Sequence, residues 1–167
     1  FSLIFFEGAS SFIRRRGWYS FSDTITNISG GIGHLMLDLF FKVALFSAYQ
    51  VVLESWALAP RQESAWTLVA LFVLVDFIYY CYHRASHRIA WLWAIHQVHH
   101  QSEHYNFSVG LRQAWFHKLS AFWIYAPPAL LGFSVRDYVI VASIHASMQI
   151  WTHTRYIKNE IPVLRHL

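Results

Sequence analysis

Long apolar runs separated by short polar stretches divide the sequence into segments of membrane type. Between residues 35 and 53, 15 of 19 residues are apolar, and between residues 66 and 82, 15 of 17 are apolar. A helix needs about 20 predominantly apolar residues to cross the hydrocarbon core of a bilayer, so these runs predict two membrane-spanning helices. Residues 59–64, which include Pro60, Arg61 and Glu63, are predicted to form the turn between them.

Two more apolar blocks follow at residues 114–133 and 137–151. Pro127 and Pro128 interrupt the first block, and a proline inside a helix breaks or kinks it. A short turn at residues 132–136 joins the blocks, so we expect a hairpin that dips into the membrane and returns. Residues 1–13 are apolar apart from Glu7 and some serines, and they are predicted to be the tail of a helix whose start is missing.

Residues 17–33 are of mixed character. Ser22 or Asp23 is predicted to cap a short helix in this stretch. Gly30, Gly31 and Gly33 either allow close contacts with another segment or simply form a bend.

The composition indicates one domain of a membrane protein. Hydrophobic residues make up 56% of the 167 positions and charged residues only 13%, about half the usual share in a soluble protein. The net charge of +4 comes without a basic stripe, so nucleic-acid binding is not expected. The single cysteine, Cys81, excludes an internal disulfide and a cysteine-based zinc cluster, and we expect it to be a small core residue.

The basic residues predict which side of the membrane each loop occupies. Three arginines, Arg14 to Arg16, follow the first apolar segment and are typical of the cytoplasmic side. Two crossings later the chain returns to that side beside Arg84, and the last hairpin emerges there beside Arg155 and Lys158. We therefore predict an all-α integral membrane bundle with about four membrane-embedded helices and a histidine-rich helical cap at the cytoplasmic face.

Six of the eleven histidines lie between residues 76 and 104. Five of them form the patterns H-x-x-x-H and H-x-x-H-H: His83, His87, His96, His99 and His100. On a helix, residues three or four apart share a face, so each pattern presents its imidazoles on one surface. Neutral imidazoles of this kind suit iron, zinc and other first-row metal ions. The alternative is that these are polar histidines near a membrane surface, or core histidines with satisfied hydrogen bonds.

A carboxylate within a membrane-spanning apolar run is costly, so each one is expected to have a partner or a function. Asp38 and Lys42 are four residues apart and are predicted to pair with each other. Asp76 lies on the same helical stripe as His83 and His87, and we expect it to accept the outward N–H of a ligating histidine. A salt bridge from Asp76 to an arginine elsewhere is the alternative.

The remaining histidines are weaker candidates for metal ligands. We expect satisfied polar roles for His104, His117 and His145, and no role is assigned to His34 or His166.

Several motifs together resemble the fatty acid hydroxylase / sterol desaturase superfamily. They are D-F-x-Y-Y-x-x-H-R-x-x-H, H-x-x-H-H-x-S-E, Y-N-x-S-x-x-L-R-Q and W-x-H-T, which lie between residues 76 and 154. The pattern is most like the alkylglycerol-monooxygenase-like and bacterial sterol-desaturase-like branch, and the similarity covers roughly residues 14 to 160. The resemblance implies a membrane enzyme with two non-haem iron ions, which uses O₂ and electrons to hydroxylate or desaturate a lipid C–H bond.

The resemblance also implies roles for individual positions. Six histidines would be iron ligands: His83, His87, His96, His99, His100 and His153. Asn106, Arg112 and Gln113 would support the ligands or the substrate channel. The electron donor would be of the pterin, cytochrome b5 or ferredoxin type, and the membrane would be a bacterial plasma membrane or the endoplasmic reticulum.

One part of the family pattern is missing from residues 1–167. The superfamily has a further H-x-x-H-H box a short way after the position of His153, and Arg165-His166-Leu167 is not that box. We therefore interpret residues 1–167 as a single partial domain without its third histidine box, and expect this piece alone to be inactive.

Two other classes of function compete with the oxidative enzyme. One is a membrane cytochrome with axial haem histidines, although the adjacent pair His99 and His100 argues against it. The other is a membrane protein that holds zinc without redox chemistry. Peptide hydrolysis is disfavoured, because the H-R-A-S-H sequence at residues 83–87 lacks the glutamate of the H-E-x-x-H metalloprotease motif.

Overall fold

The computed structural model describes residues 1–60 and 64–156. All regular structure in these ranges is helical, which confirms the predicted all-α class. The α-helices are α1 (Ser2–Ile13), α2 (Phe21–Trp56), α3 (Ala65–Ser86), α4 (Ala90–His96), α5 (His117–Ser120), α6 (Ala126–Leu130) and α7 (Val135–Ile150). Short 3₁₀ turns lie at His99–Gln101, Phe107–Leu111, Phe122–Tyr125 and Trp151–His153.

Helices α2 and α3 have the length and composition of membrane-spanning helices. Their 36 and 22 residues correspond to about 54 and 33 Å at 1.5 Å per residue. In the most apolar window of each, only 11% of the residues are buried, and large side chains such as Phe40, Val43, Val73 and Phe77 point outward. The core helix of a soluble protein would be mostly buried, so these outward apolar faces are typical of membrane-spanning helices.

Helix α2 begins earlier than the apolar pattern indicated. The predicted separate short helix within residues 17–33 is wrong, because α2 runs without interruption from Phe21 through the glycine-rich stretch. Ser20, rather than Ser22 or Asp23, caps α2, and its Oγ accepts the Asp23 N–H at 3.2 Å.

Two of the glycines in α2 serve close packing rather than a bend. A Cβ on Gly31 would lie 2.8 Å from the Leu111 carbonyl oxygen, and one on Gly33 would lie 2.5 Å from the Trp115 indole. The loop that follows the histidine trio therefore rests directly on the backbone of α2.

The hydrophobic core lies where α2, α3, α6 and α7 meet. Leu71 of α3 and Ala129 of α6 are fully buried, and they pack in one cluster with Tyr49 and Tyr138. The Tyr49 hydroxyl donates to the Phe133 carbonyl at 3.0 Å, which satisfies its polar end inside this apolar layer.

The predicted break in the apolar block at residues 114–133 is confirmed, whereas the membrane hairpin formed with residues 137–151 stays a prediction. Residues 114–133 form no single helix but α5, a 3₁₀ turn and α6, and the prolines occupy the first turn of α6. Proline is tolerated there because those N–H groups have no partner within the helix. Gly132 then turns the chain with φ +83°, and a Cβ there would lie 2.5 Å from the Pro60 carbonyl oxygen.

Three smaller predictions complete the comparison. The Asp38–Lys42 ion pair is confirmed, with Nζ and Oδ2 2.9 Å apart. The core position predicted for Cys81 is wrong, because this thiol is exposed on the outward side of α3. The predicted turn at residues 59–64 falls partly outside the described residues, and Lys158 and residues 165–167 fall wholly outside them.

Candidate metal centre

The first histidine pair lies at the C-terminal end of α3. The helix ends at Ser86, and His87 is its C-terminal capping residue. The rings of His83 and His87 are stacked with centroids 5.0 Å apart, and their Nε2 atoms lie 3.0 Å apart. One turn of helix thus presents two imidazole nitrogens to the same point.

The second pair comes from α4 and the turn after it. His96 is the last residue of α4, and His100 lies in the 3₁₀ turn His99–Gln101. Their Nε2 atoms lie 3.1 Å apart, and the His87 ring centroid lies 4.8 Å from that of His96 and 4.9 Å from that of His100. The trio does not share one continuous α-helix, yet its rings still converge.

These four side chains form a compact cluster, which we call the inner group. Its members are His83, His87, His96 and His100, and one ring nitrogen of each lies within 4.8 Å of those of the others. His96 is buried at the centre of the group, whereas His87 and His100 are exposed.

His99 and His153 form a second arrangement beside the first, which we call the outer pair. Their Nε2 atoms lie 3.0 Å apart. The Nδ1–H of His99 donates to the Arg112 carbonyl at 2.9 Å, and that of His153 donates to the Gln149 carbonyl at 3.0 Å. A carbonyl oxygen only accepts, so both rings keep a bare Nε2 that faces the other.

The two groups adjoin and have the donor chemistry of a metal centre. The ring centroids of His96 and His99 are 5.8 Å apart, so the inner group and the outer pair share a border. Bonds of about 2.0–2.1 Å from a metal ion to imidazole nitrogen are compatible with Nε2 atoms 3.0–3.1 Å apart in adjacent coordination positions. An all-imidazole set suits iron or zinc, and the residues present fit such an ion.

The local electrostatics keep four of these six imidazoles in the ligating form. Burial, reinforced by the neighbouring imidazoles, lowers the pKa of His96 to about 3. Burial is also the main cause that lowers the pKa of His99, His100 and His153. These four side chains are therefore neutral at pH 7, as metal binding requires.

Comparison with known protein families agrees with this geometry. A family model described as fatty acid hydroxylase matches residues 68–166, a range that contains all six histidines. The chain belongs to the fatty acid hydroxylase family. The predicted superfamily membership is thus confirmed.

Relatives of this fatty acid hydroxylase chain include alkylglycerol monooxygenases. The human protein is 34% identical over 142 residues, which cover 84% of this chain and 32% of the relative. The zebrafish protein is 36% identical over 145 residues, with 85% and 32% covered, and the Caenorhabditis elegans protein is 39% identical over 102 residues, with 58% and 19% covered. The chain thus spans about a third of the length of the vertebrate relatives. No solved structure gives a significant match.

Arg112 and Gln113 lie beside the histidines of this hydroxylase chain. The Arg112 guanidinium donates to the Val98 carbonyl at 2.8 Å, to Asn27 Oδ1 at 3.0 Å and to Gln101 Oε1 at 3.2 Å. It thereby fixes the backbone whose carbonyl orients His99. Gln113 lines the cavity that opens at the histidines.

Asn106 and Asp76 make other contacts. Asn106 is fully buried and donates to the Trp18 carbonyl at 2.7 Å, so its role is to hold the loop to the N-terminal segment. The Asp76 carboxylate lies 3.0 Å from His145 Nε2 rather than beside His83 or His87, because that face of α3 meets α7.

The less distinctive histidines divide into two kinds. His145 is satisfied by Asp76, and His117 Nδ1 lies 3.3 Å from the Tyr82 hydroxyl, which confirms polar roles for both. His104 differs, because its buried Nδ1 makes no hydrogen bond within the described residues and lies 3.9 Å from Asp23 Oδ2.

A cavity of about 310 Å³ begins at the histidines and enters the apolar interior. His83, His96 and the outer pair line one end of it. Apolar side chains from α3, the 3₁₀ turn, α6 and α7 line much of the rest: Val75, Ile78, Ile124, Pro128 and Ala142. A molecule with a hydrocarbon chain would lie in this cavity with one end at the imidazoles.

The sequence interpretation missed two contributors to this site. Gln149 orients His153 through its backbone carbonyl, and a backbone acceptor leaves no trace in residue identity. Glu7 accepts hydrogen bonds from the Phe107 N–H and the Thr154 hydroxyl. The signal available in the sequence was a single charged residue among the uncharged residues of α1.

Proposed function

We propose that this chain is the metal-binding part of a membrane lipid hydroxylase that uses non-haem iron and O₂. The observation that supports this function best is the inner group of four imidazoles, two of which, His83 and His96, line one end of a cavity that continues between aliphatic side chains. Desaturation of the same kind of C–H site is the other outcome within this reaction class.

In this proposal the residues would hold two iron ions. The inner group would hold one ion, and the outer pair would contribute two ligands to the other. Further ligands for the second ion would come from the third histidine box that the family resemblance predicts. Bound iron supplies the oxidising power that an unactivated C–H bond requires, a chemistry that side chains alone do not provide.

The protein contributes positioning and exclusion of water. The carbonyls of Arg112 and Gln149 hold the tautomers of His99 and His153, so the ligating nitrogens are aimed before a metal arrives. The apolar cavity walls then place a lipid chain against the histidines and keep water away from it.

The substrate class follows from the cavity and the relatives. Aliphatic side chains of α3, α6 and α7 line part of the cavity beyond the histidines, which suits a lipid tail. Because the relatives are named alkylglycerol monooxygenases, an ether lipid is the first substrate to test. Sterols, fatty acyl chains, carotenoids and sphingoid bases are the alternatives.

We also propose that the metal centre lies at the cytoplasmic face. The Arg16 guanidinium stacks 4.6 Å from the Trp18 ring centroid and 5.5 Å from that of Tyr156, so the arginine cluster and His153 occupy the same end of the molecule. Positive charge marks the cytoplasmic side. Helices α2 and α3 would cross the bilayer, the residue 114–150 hairpin would enter it, and an electron donor of the pterin, cytochrome b5 or ferredoxin type would dock at the histidine-rich cap.

The test uses the full-length protein, in membranes from cells grown in iron-rich medium. We expect bound iron without a Soret band, and oxygen consumption that rises when an alkylglycerol and an electron donor are added. The His96→Ala variant should lose both the iron and the oxygen consumption, whereas the matched His104→Ala variant should keep them. A Soret band would indicate a haem protein instead, and zinc without iron or oxygen consumption would indicate a metal-binding protein without redox chemistry.

A further inference from the structure

Glu7 is a buried carboxylate in a helix whose other residues are uncharged. Its side chain in α1 is 3% exposed, and within the described residues no basic group forms an ion pair with it. Burial of an unpaired carboxylate is costly unless hydrogen bonds satisfy it. Glu7 also lies outside residues 68–166, to which the family model is matched.

Three donors satisfy this carboxylate, and they come from three different segments. The Tyr19 hydroxyl donates to Oε2 at 2.6 Å, and the Phe107 backbone N–H donates to the same oxygen at 2.7 Å. The Thr154 hydroxyl donates to Oε1. Glu7 therefore ties α1 to two segments that are far apart in the sequence.

One of these distant segments adjoins His153, and the other leads to the carbonyl that orients His99. Thr154 directly follows His153. Phe107 begins the 3₁₀ turn Phe107–Leu111, after which the Arg112 carbonyl orients His99. A Cβ on Gly110 of that turn would lie 3.7 Å from the His153 ring, so the turn also packs against His153.

Glu7 makes no direct hydrogen bond to the elements that carry the inner group. The four histidines of this group belong to the end of α3, to α4 and to the turn after α4, and none of the three donors to Glu7 belongs to these elements.

We propose that Glu7 is a positioning residue for the outer pair. It fixes the Phe107–Leu111 turn and Thr154 relative to each other, and so sets the 3.0 Å approach of His99 Nε2 to His153 Nε2. The inference rests on the proposed function, in which the outer pair is a metal-ligating unit. It goes further by assigning to α1 a role in metal binding at the outer pair and none at the inner group.

A titration of the purified full-length protein with Co²⁺ tests this role without an activity assay. Binding is followed by visible absorption in detergent. We expect the wild type to bind one ion tightly at the inner group and one more weakly at the outer pair. Glu7→Ala should weaken the second affinity about 10- to 100-fold, the usual effect of removing a group that orients metal ligands. The first affinity should not change.

Three further variants keep the test informative if Glu7→Ala folds poorly. Glu7→Gln retains an oxygen that accepts from Tyr19 and Phe107 and should restore most of the second affinity. Thr154→Val removes only the hydroxyl beside His153 and should act in the same direction as Glu7→Ala. Glu54→Ala is the control for loss of a carboxylate, because Glu54 is exposed and accepts a hydrogen bond from Gln50 of its own helix, and it should leave both affinities unchanged.

The outcomes separate this inference from the proposed function. If the wild type binds no Co²⁺, the proposed metal centre itself fails. If it binds only one ion, the outer pair is not a site and the inference fails while the inner group stands. If Glu7→Ala leaves both affinities unchanged, or weakens both equally, Glu7 does not position the outer pair.

Discussion

At the scale of single residues, the usefulness of an imidazole as a ligand depends on the group that fixes its other nitrogen. His99 and His153 each donate Nδ1–H to a backbone carbonyl. The spacing of the histidines in the sequence predicted candidate ligands, but it could not predict these acceptors. The carbonyl for His99 lies 13 residues away in a loop, and its position depends on the side chain of Arg112.

Substitution of Arg112 by lysine should therefore disturb the outer pair although the positive charge is kept. Lysine cannot reproduce the planar fork that reaches Val98, Asn27 and Gln101. Because Asn27 is fully buried, leaving its oxygen unpaired should cost about 1–3 kcal/mol. Thermal unfolding of the metal-free protein in detergent measures this loss.

The matched control for Arg112 is the exposed Arg136 in the first turn of α7. Arg136→Lys should leave the midpoint of unfolding within experimental error. Equal midpoints for Arg112→Lys and the wild type would show that the guanidinium fork does not stabilise the loop.

At the scale of whole helices, the apolar pattern predicted those elements whose boundaries depend on local sequence. The run at residues 66–82 lies within α3, and the block at residues 137–151 nearly coincides with α7. The early start of α2 was missed, because glycines and polar residues in its first turns resemble a loop. Their actual partner is the segment from Leu111 to Trp115, some 80 residues later, and such contacts are not visible in local sequence.

Replacement of Gly31 by alanine tests whether this close packing supports the site. The new Cβ would lie 2.8 Å from the Leu111 carbonyl oxygen and 3.0 Å from Leu111 Cβ, so the loop must move away from α2. We expect a loss of about 1–3 kcal/mol, as for other overpacked positions, together with weaker Co²⁺ binding at the outer pair, since Leu111 precedes Arg112.

The adjacent Gly30 provides the control for the Gly31 substitution. A Cβ at Gly30 meets no atom within 4 Å, so Gly30→Ala should stabilise α2 by up to about 1 kcal/mol through its higher helix propensity. Thermal unfolding of both variants under the same conditions gives the comparison. Destabilisation of similar size by both would point to a general intolerance of α2 rather than to the contact with Leu111.

At the scale of the whole molecule, the sequence predicted that the histidine-bearing ends meet on one side, and the structure brings them together. The sequence did not predict how the histidines divide between the inner group and the outer pair. His100 joins the α3 pair, whereas its neighbour His99 turns toward His153, 54 residues away. This division depends on the break between α4 and the following 3₁₀ turn and on how α7 packs, and both are set by tertiary contacts.

The concentration of neutral imidazoles in one place makes the stability of the metal-free protein depend on pH. The pKa of His96 is lowered to about 3 in the folded state, whereas an unfolded histidine titrates near 6.5. Between these values the unfolded chain binds more protons than the folded one, so stability is lost as the pH falls below about 6.5. His96 alone should contribute a loss of about 1.4 kcal/mol between pH 7.5 and 5.5, and His99, His100 and His153, whose pKa values are also lowered, act in the same direction.

Urea unfolding of the metal-free chain at the two pH values measures this dependence, and His96→Asn identifies its source. Asparagine does not titrate, so the variant should lose less stability than the wild type over the same interval, by about the contribution calculated for His96. A metal ion bound to the folded state competes with protons for the same nitrogens, and saturation with Co²⁺ should therefore steepen the wild-type dependence. If the wild type and His96→Asn lost equal stability between pH 7.5 and 5.5, the buried imidazole at the centre of the inner group would not be held neutral by its surroundings.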